Sequence, residues 1–120
     1  MVEAVGWDMY DPRMTLKGTL VETVHLGDCC YIAADGIHFT DATETIHGCA
    51  LMAGVLGDEI VLITHGRLKM VDIQVPGVLV YGPDGGSGAP PDESGAGKVC
   101  GFAIETQLIF VHIDSVSAAA

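Results

Sequence analysis

Apolar residues in this chain recur at alternate positions or in short runs, and no segment keeps a three-four spacing beyond about two helical turns. Runs rich in Val, Ile, Leu, Thr and aromatics occupy 16–26, 29–33, 37–40, 46–52, 59–65, 67–75, 78–81, 99–104 and 108–113. Between them stand Asp35-Gly36, Gly57-Asp58, Pro76-Gly77 and Asp84-Gly85-Gly86, residue pairs that favour tight turns. The segment 41–52 is the best helical candidate, and Thr43, Thr45 and Gly48 oppose it. The pattern predicts an all-β domain of short strands, a small barrel or sandwich.

The spacing also suggests two pseudo-repeated halves. Gly27 to Tyr31 matches Gly77 to Tyr81 as Gly-x-x-x-Tyr, Gly48-Cys49-Ala50 matches Gly101-Phe102-Ala103, and 60–65 resembles 108–113. Before the first strand, residues 1–15 carry Val2, Val5, Trp7, Met9, Tyr10 and Met14, too apolar for a solvated tail, with Gly6 and Pro12 opposing a helix. The expectation is an extended N-terminal arm, a single β domain over 16–114 and a short C-terminal tail at 115–120. Such an arm either adds a strand to a neighbouring chain, anchored by Trp7 and Tyr10, or covers an open edge of its own domain. The segment 81–98 is Gly- and Pro-rich and reads as an exposed, mobile hairpin loop.

Composition sharpens this picture. With 120 residues the chain is one domain. It is 49% hydrophobic and 18% charged, with a mean hydropathy of +0.43, yet lacks a run of about 18 apolar residues that could cross a membrane as a helix. Its apolar surplus therefore belongs in a core or an interface. Sixteen acidic residues against five Lys and Arg give a formal charge of −11, which opposes binding to nucleic-acid phosphates. The basic residues form no cluster in sequence. In the strand RLKMVDI, Arg67 and Lys69 share one side while Leu68 and Met70 take the other, so that side is expected to meet an acidic partner surface or to neutralise an acidic neighbour in the oligomer, the other reading being an ordinary solvated strand face. No basic, apolar leader opens the sequence.

Candidate chemistry is sparse. Cys29 and Cys30 are adjacent, and neighbours on a strand point to opposite faces, so they cannot turn together to one ion. Cys49 and Cys100 have no Cys or His at zinc-ligand spacing. All four read as structural thiols of a reducing compartment. His25, His38, His47, His65 and His112 are scattered singly. Gly97-Lys98 is followed by Val99 and has Asp92 where a phosphate-binding loop needs glycine. Neither a Gly-x-Ser-x-Gly elbow nor a dinucleotide fingerprint is present. The expectation is a non-enzyme without metal or cofactor.

Three stretches carry a resemblance. Gly27-Asp28-x-x-Tyr31-Ile32-x-x-Asp35-Gly36, Ala53-Gly54-x-x-Gly57-Asp58-x-Ile60 leading to Gly66-Arg67, and Pro76-Gly77-x-x-Val80-Tyr81 before a Gly-rich hairpin resemble tailed-bacteriophage head proteins of the capsid decoration, or cement, family. The resemblance covers about residues 16–114 and leaves the N-terminal arm unmatched. It implies a β-barrel-like structural protein of the virion, made in the host cytoplasm. It implies a homotrimer on the capsid exterior that fastens neighbouring major capsid subunits, with no nucleic-acid or membrane partner. The residues expected to make its interactions are Trp7, Met9, Tyr10, Met14, Arg67 and Lys69. Two other readings remain open at this point: a tail or fibre module that is structural or binds a receptor, and a small ligand-binding barrel.

Overall fold

The computed structural model describes residues 13–40, 45–71, 73–83, 88–95 and 97–113. Eight strands follow one another: β1 (Met14–Thr19), β2 (Cys29–Ala33), β3 (Gly36–Phe39), β4 (Gly48–Ala50), β5 (Glu59–Lys69), β6 (Leu79–Tyr81), β7 (Val99–Glu105) and β8 (Leu108–His112). Among the described residues there is no helix. The strands form one curled antiparallel sheet in the order β3-β2-β4-β5-β8-β7-β6, with β1 attached to β5 outside that path. The architecture is a half-barrel.

The central element is β5. The sequence suggests two strands broken at Gly66, whereas the structure runs one strand of 11 residues through it. Gly66 makes this possible with a φ of +145°, a conformation L-residues with a side chain rarely adopt. The first part of β5 pairs with β4 and β1, and its last residues pair with β8. Where β1 ends, Leu20 bridges Ile37 of β3 in parallel, which brings the sheet's first strands around one core. That core holds Leu20, Val24, Cys30, Ile37, Ala50, Ile60 and Leu62. A larger one holds Cys29, Ile46, Cys49, Ile63, Leu68, Met70, Val80, Cys100, Ala103, Ile109, Val111 and Ile113. Cys29 and Cys30 thus serve different cores, as strand alternation requires.

Three turns set the strand entries. Asp28, Asp58 and Val78 each donate a backbone N–H to the carbonyl three residues earlier, at 3.1, 3.0 and 3.1 Å. Gly27, Gly57 and Gly77 occupy the third position with φ of +91°, +95° and +88°, which identifies type II turns. In the first two, the Asp side chain closes the turn by accepting the N–H of His25 or Val55, both at 2.9 Å. In the third, Val78 has no carboxylate, and Glu93 accepts the N–H of Val75 at 2.8 Å instead. Val24 and Gly54 exchange two backbone hydrogen bonds, so residues 20–28 and 50–58 face one another about a local dyad. This equivalence lies within the first part of the sheet and is separate from the one that the sequence suggests between two halves.

Two expectations need correction. β1 begins at Met14, inside the segment assigned to the arm, and only 16–19 of the run 16–26 is strand. Residues 88–95 of the Gly- and Pro-rich loop are folded back rather than exposed and mobile. Pro91 is fully buried, Tyr81 and Asp92 exchange backbone hydrogen bonds at 2.8 and 2.9 Å, and Ala89 accepts the N–H of Cys29 at 2.9 Å. The cause is Gln74, a buried amide whose polar atoms need partners. Its Nε2 donates to Asp92 at 2.7 Å and its Oε1 accepts the N–H of Glu93 at 2.9 Å. Hydrogen bonds from the Ser94 hydroxyl and from Gln74 hold the Asp92 carboxyl below its usual range. The C-terminal tail at 115–120 lies outside the described residues.

Candidate interaction surface

The sheet β5-β8-β7-β6 buries one face on the larger core and turns the other outward. On the outward face, strand register places Leu79, Phe102, Phe110 and Arg67 side by side across four strands. A neighbouring row holds Glu105, Leu108 and Lys69, and another holds His112, His65 and Met14. The rings of Phe102 and Phe110 lie 5.5 Å apart, those of Phe110 and His112 6.5 Å, and those of His112 and His65 4.8 Å. Leu79 and Phe102 are 45% and 41% exposed, large values for apolar side chains in paired strands. Exposed Val71, Ile73 and Val75 extend the apolar surface along the chain leaving β5.

Local irregularities aim these side chains. In a regular strand Cys100 and Phe102 would share a face, but Cys100 is buried and Phe102 is exposed. A register shift between Val80 and Tyr81 separates them: Val80 pairs Gly101, and Tyr81 pairs Val99, so that Cys100 is skipped. Gly101 sits at the shift with a φ of +152°, and a Cβ there would lie 1.9 Å from the Phe110 carbonyl oxygen.

The fold also places the basic side chains. Arg67 and Lys69 stand exposed on the outward face with Leu68 and Met70 buried behind, and Arg13 abuts Gly66 from the start of the described chain. Arg67 and Lys69 share the outward face, whereas Arg13 lies beside Gly66, whose position faces the other way. Lys17 lies apart, 3.9 Å from Glu59 on the exposed part of β1. Of the expected interaction residues, Met14, Arg67 and Lys69 come together on this face, and Met14 is 61% exposed. Trp7, Met9 and Tyr10 lie outside the described residues. Leu79, Phe102, Phe110, His65 and His112 were not singled out; the alternation in Leu108-Ile109-Phe110-Val111-His112 was their available signal.

Other clusters of reactive residues have a structural explanation. Cys29 pairs with Cys49 across β2 and β4 and approaches Cys100 on β7, all buried. Hydrogen bonds shared with Cys100 and Cys49, then burial, push the Cys29 thiol up, and burial raises that of Cys30. Among the described residues no group of three or more His, Cys, Asp or Glu side chains is arranged to hold a metal ion. The His47 ring accepts the N–H of Ile32 at 2.9 Å. His38 is different: it reaches Asp35 at 2.9 Å and Glu22 at 3.3 Å and stacks on Tyr31 at 5.0 Å. A cleft of about 330 Å³ lies between the end of β5 and the β7–β8 turn, lined by Lys69, Met70 and residues 105–108. Its Gln107 amide donates to the Val71 carbonyl at 2.9 Å, so that group braces the backbone and does not point at a ligand.

Compared with family models, with curated proteins and with solved structures, the chain matches none.

Proposed function

We propose that this protein is a structural component of a tailed-phage particle, bound to the outside of the head as a homotrimer and cementing neighbouring major capsid subunits. The observation that supports this reading best is the outward face of β5-β8-β7-β6. An aromatic and aliphatic centre bordered by cations, on a chain of formal charge −11, has the make-up of a protein interface: apolar burial gives affinity and the cations orient an acidic partner. The motifs that resemble decoration proteins fall on matching structural roles, since each of the three stretches is a type II turn feeding a strand. The two halves, the N-terminal arm and the Gly- and Pro-rich hairpin are parts of one head-binding module in this reading. It assigns no catalysis and no cofactor, and its acidic chain is a poor ligand for packaged DNA.

The test is co-sedimentation with phage heads that lack their outer decoration. Wild-type protein pellets with the heads at low salt. The double reversal R67E/K69E, its folding checked by far-ultraviolet circular dichroism, pellets at least ten-fold less. Equal pelleting of the two proteins across a salt series contradicts the role assigned to this face.

A further inference from the structure

Strand pairing brings three donor side chains into one row. β5 and β8 pair His65 with His112, and β1 and β5 pair Met14 with His65, so two imidazoles and a thioether cross three strands. The two rings lie 4.8 Å apart, centre to centre, and are tilted by 46°. Two imidazoles that share one ion at about 2.0 Å per nitrogen have ring centres roughly 4.4–5.2 Å apart, for angles of about 90–109° at the metal. The observed spacing is that of a shared ligand pair. Neighbouring groups also set the tautomer of His65. Thr64 has one hydroxyl proton and donates it to the Met14 carbonyl at 3.1 Å. Towards Nδ1 of His65, 3.0 Å away, that hydroxyl can then only accept. Nδ1 therefore carries the hydrogen, and Nε2 keeps the lone pair that a metal needs, the arrangement by which metal-binding histidines are oriented. His112 is exposed, and the Phe110 ring stands edge-on to it at 6.5 Å and 79°.

We propose that His65 and His112 hold one first-row transition-metal ion, Cu2+ most tightly, with the Met14 sulfur as a third donor and water in the remaining positions. The donor set decides the metal. Imidazole and thioether ligands suit copper, whereas Mg2+ and Ca2+ take oxygen ligands, and affinity among the divalent first-row ions peaks at Cu2+. Arg67, two residues along β5 on the same face, repels a cation locally, and the formal charge of −11 offsets this by drawing cations to the chain. Paired backbone in β5 and β8 places both imidazoles before the ion arrives, so little ordering accompanies binding. The site is separate from the four thiols, which are buried. The inference concerns the free chain and stands whether or not the particle reading does.

The test is a Cu2+ titration of the full chain after chelator treatment. The first equivalent bound by wild-type protein is expected to show coupling to two imidazole nitrogens by electron paramagnetic resonance. In proton NMR, substoichiometric Cu2+ is expected to broaden the ring signals of His65 and His112 before those of the other three histidines. The double variant His65→Ala/His112→Ala is expected to bind Cu2+ at least ten-fold more weakly, with the far-ultraviolet circular dichroism unchanged. His25→Ala, at an exposed histidine outside the row, is expected to bind as tightly as wild type. Met14→Leu is expected to weaken Cu+ at least three-fold in competition with a cuprous chelator, and an unchanged value overturns the role of the sulfur. Equal Cu2+ affinity in wild type and the double variant overturns the proposal. A wild-type spectrum without two imidazole nitrogens also overturns it, as does first broadening at His25, His38 or His47. These last two results are read on wild-type protein and decide the matter even where the double variant does not fold.

Discussion

The sulfur atoms of Cys29 and Cys100 lie 4.0 Å apart in the larger core, joining strands whose residues are 71 positions apart in sequence. Shared hydrogen bonds with Cys100 and Cys49 keep Cys29 protonated, and a protonated, buried thiol is a poor nucleophile. All four cysteines are therefore expected to resist an aromatic disulfide reagent in the native state and to react together once the chain is unfolded. Replacing Cys29 with Ala removes one buried sulfur and should lower stability by about 1–2 kcal/mol, measured by urea unfolding. Rapid native labelling, or stoichiometric zinc in a chelator-treated sample, contradicts this account.

Glycine substitutions separate crowding from backbone strain. Gly101 and Gly57 both have positive φ, but a Cβ at Gly101 meets the Phe110 carbonyl at 1.9 Å, whereas one at Gly57 meets nothing within 4 Å. Gly57→Ala should cost about 1–2 kcal/mol, the strain of the conformation alone. Gly101→Ala must also displace β8 and should cost about 3 kcal/mol or more. Similar losses in denaturant midpoint for the two variants would show that β7 and β8 relax freely and that the register shift does not fix Phe102.

These particulars show what was legible in the sequence. The all-β class and most strands followed from alternation and turn residues, because both are local properties. The thiol cluster and the Phe102–Phe110 ladder depend on which strands become neighbours, information that no local pattern holds. The dyad between residues 20–28 and 50–58 was hidden for another reason. Leu20 stands opposite Ala50 in that equivalence and Val24 opposite Gly54, since backbone groups make the pairing and side chains need not match. Leu-Gly-Asp at 26–28 and again at 56–58 was its one visible trace. The docked loop was missed because its anchor, Gln74, is one of several polar residues in the run 67–75 and nothing local marks it as the buried one.

His38 gives the fold a pH dependence whose sign is fixed by its neighbours. Its hydrogen bond to Asp35 raises the imidazole above its ordinary range, and the same bond lowers Asp35. The His38 contribution is complete below the unfolded pKa of about 6.5 and fades as pH rises through the higher folded value. The Asp35 contribution is present above about pH 4 and fades as pH falls through its lowered folded value. Thermal stability should therefore decline as pH rises above about 6.5, and His38→Gln should flatten that slope. An unaltered slope in this variant would assign the pH dependence to other groups.

Electron cryomicroscopy of heads from a phage that encodes this chain tests the central claim most directly. The account predicts density for the half-barrel on the outer surface of the capsid, three copies around a local axis, each spanning neighbouring capsid subunits with Phe102, Phe110, Arg67 and Lys69 at an interface. Density confined to the tail or fibres, or a head-bound subunit whose β5-β8-β7-β6 face points to solvent, would contradict it.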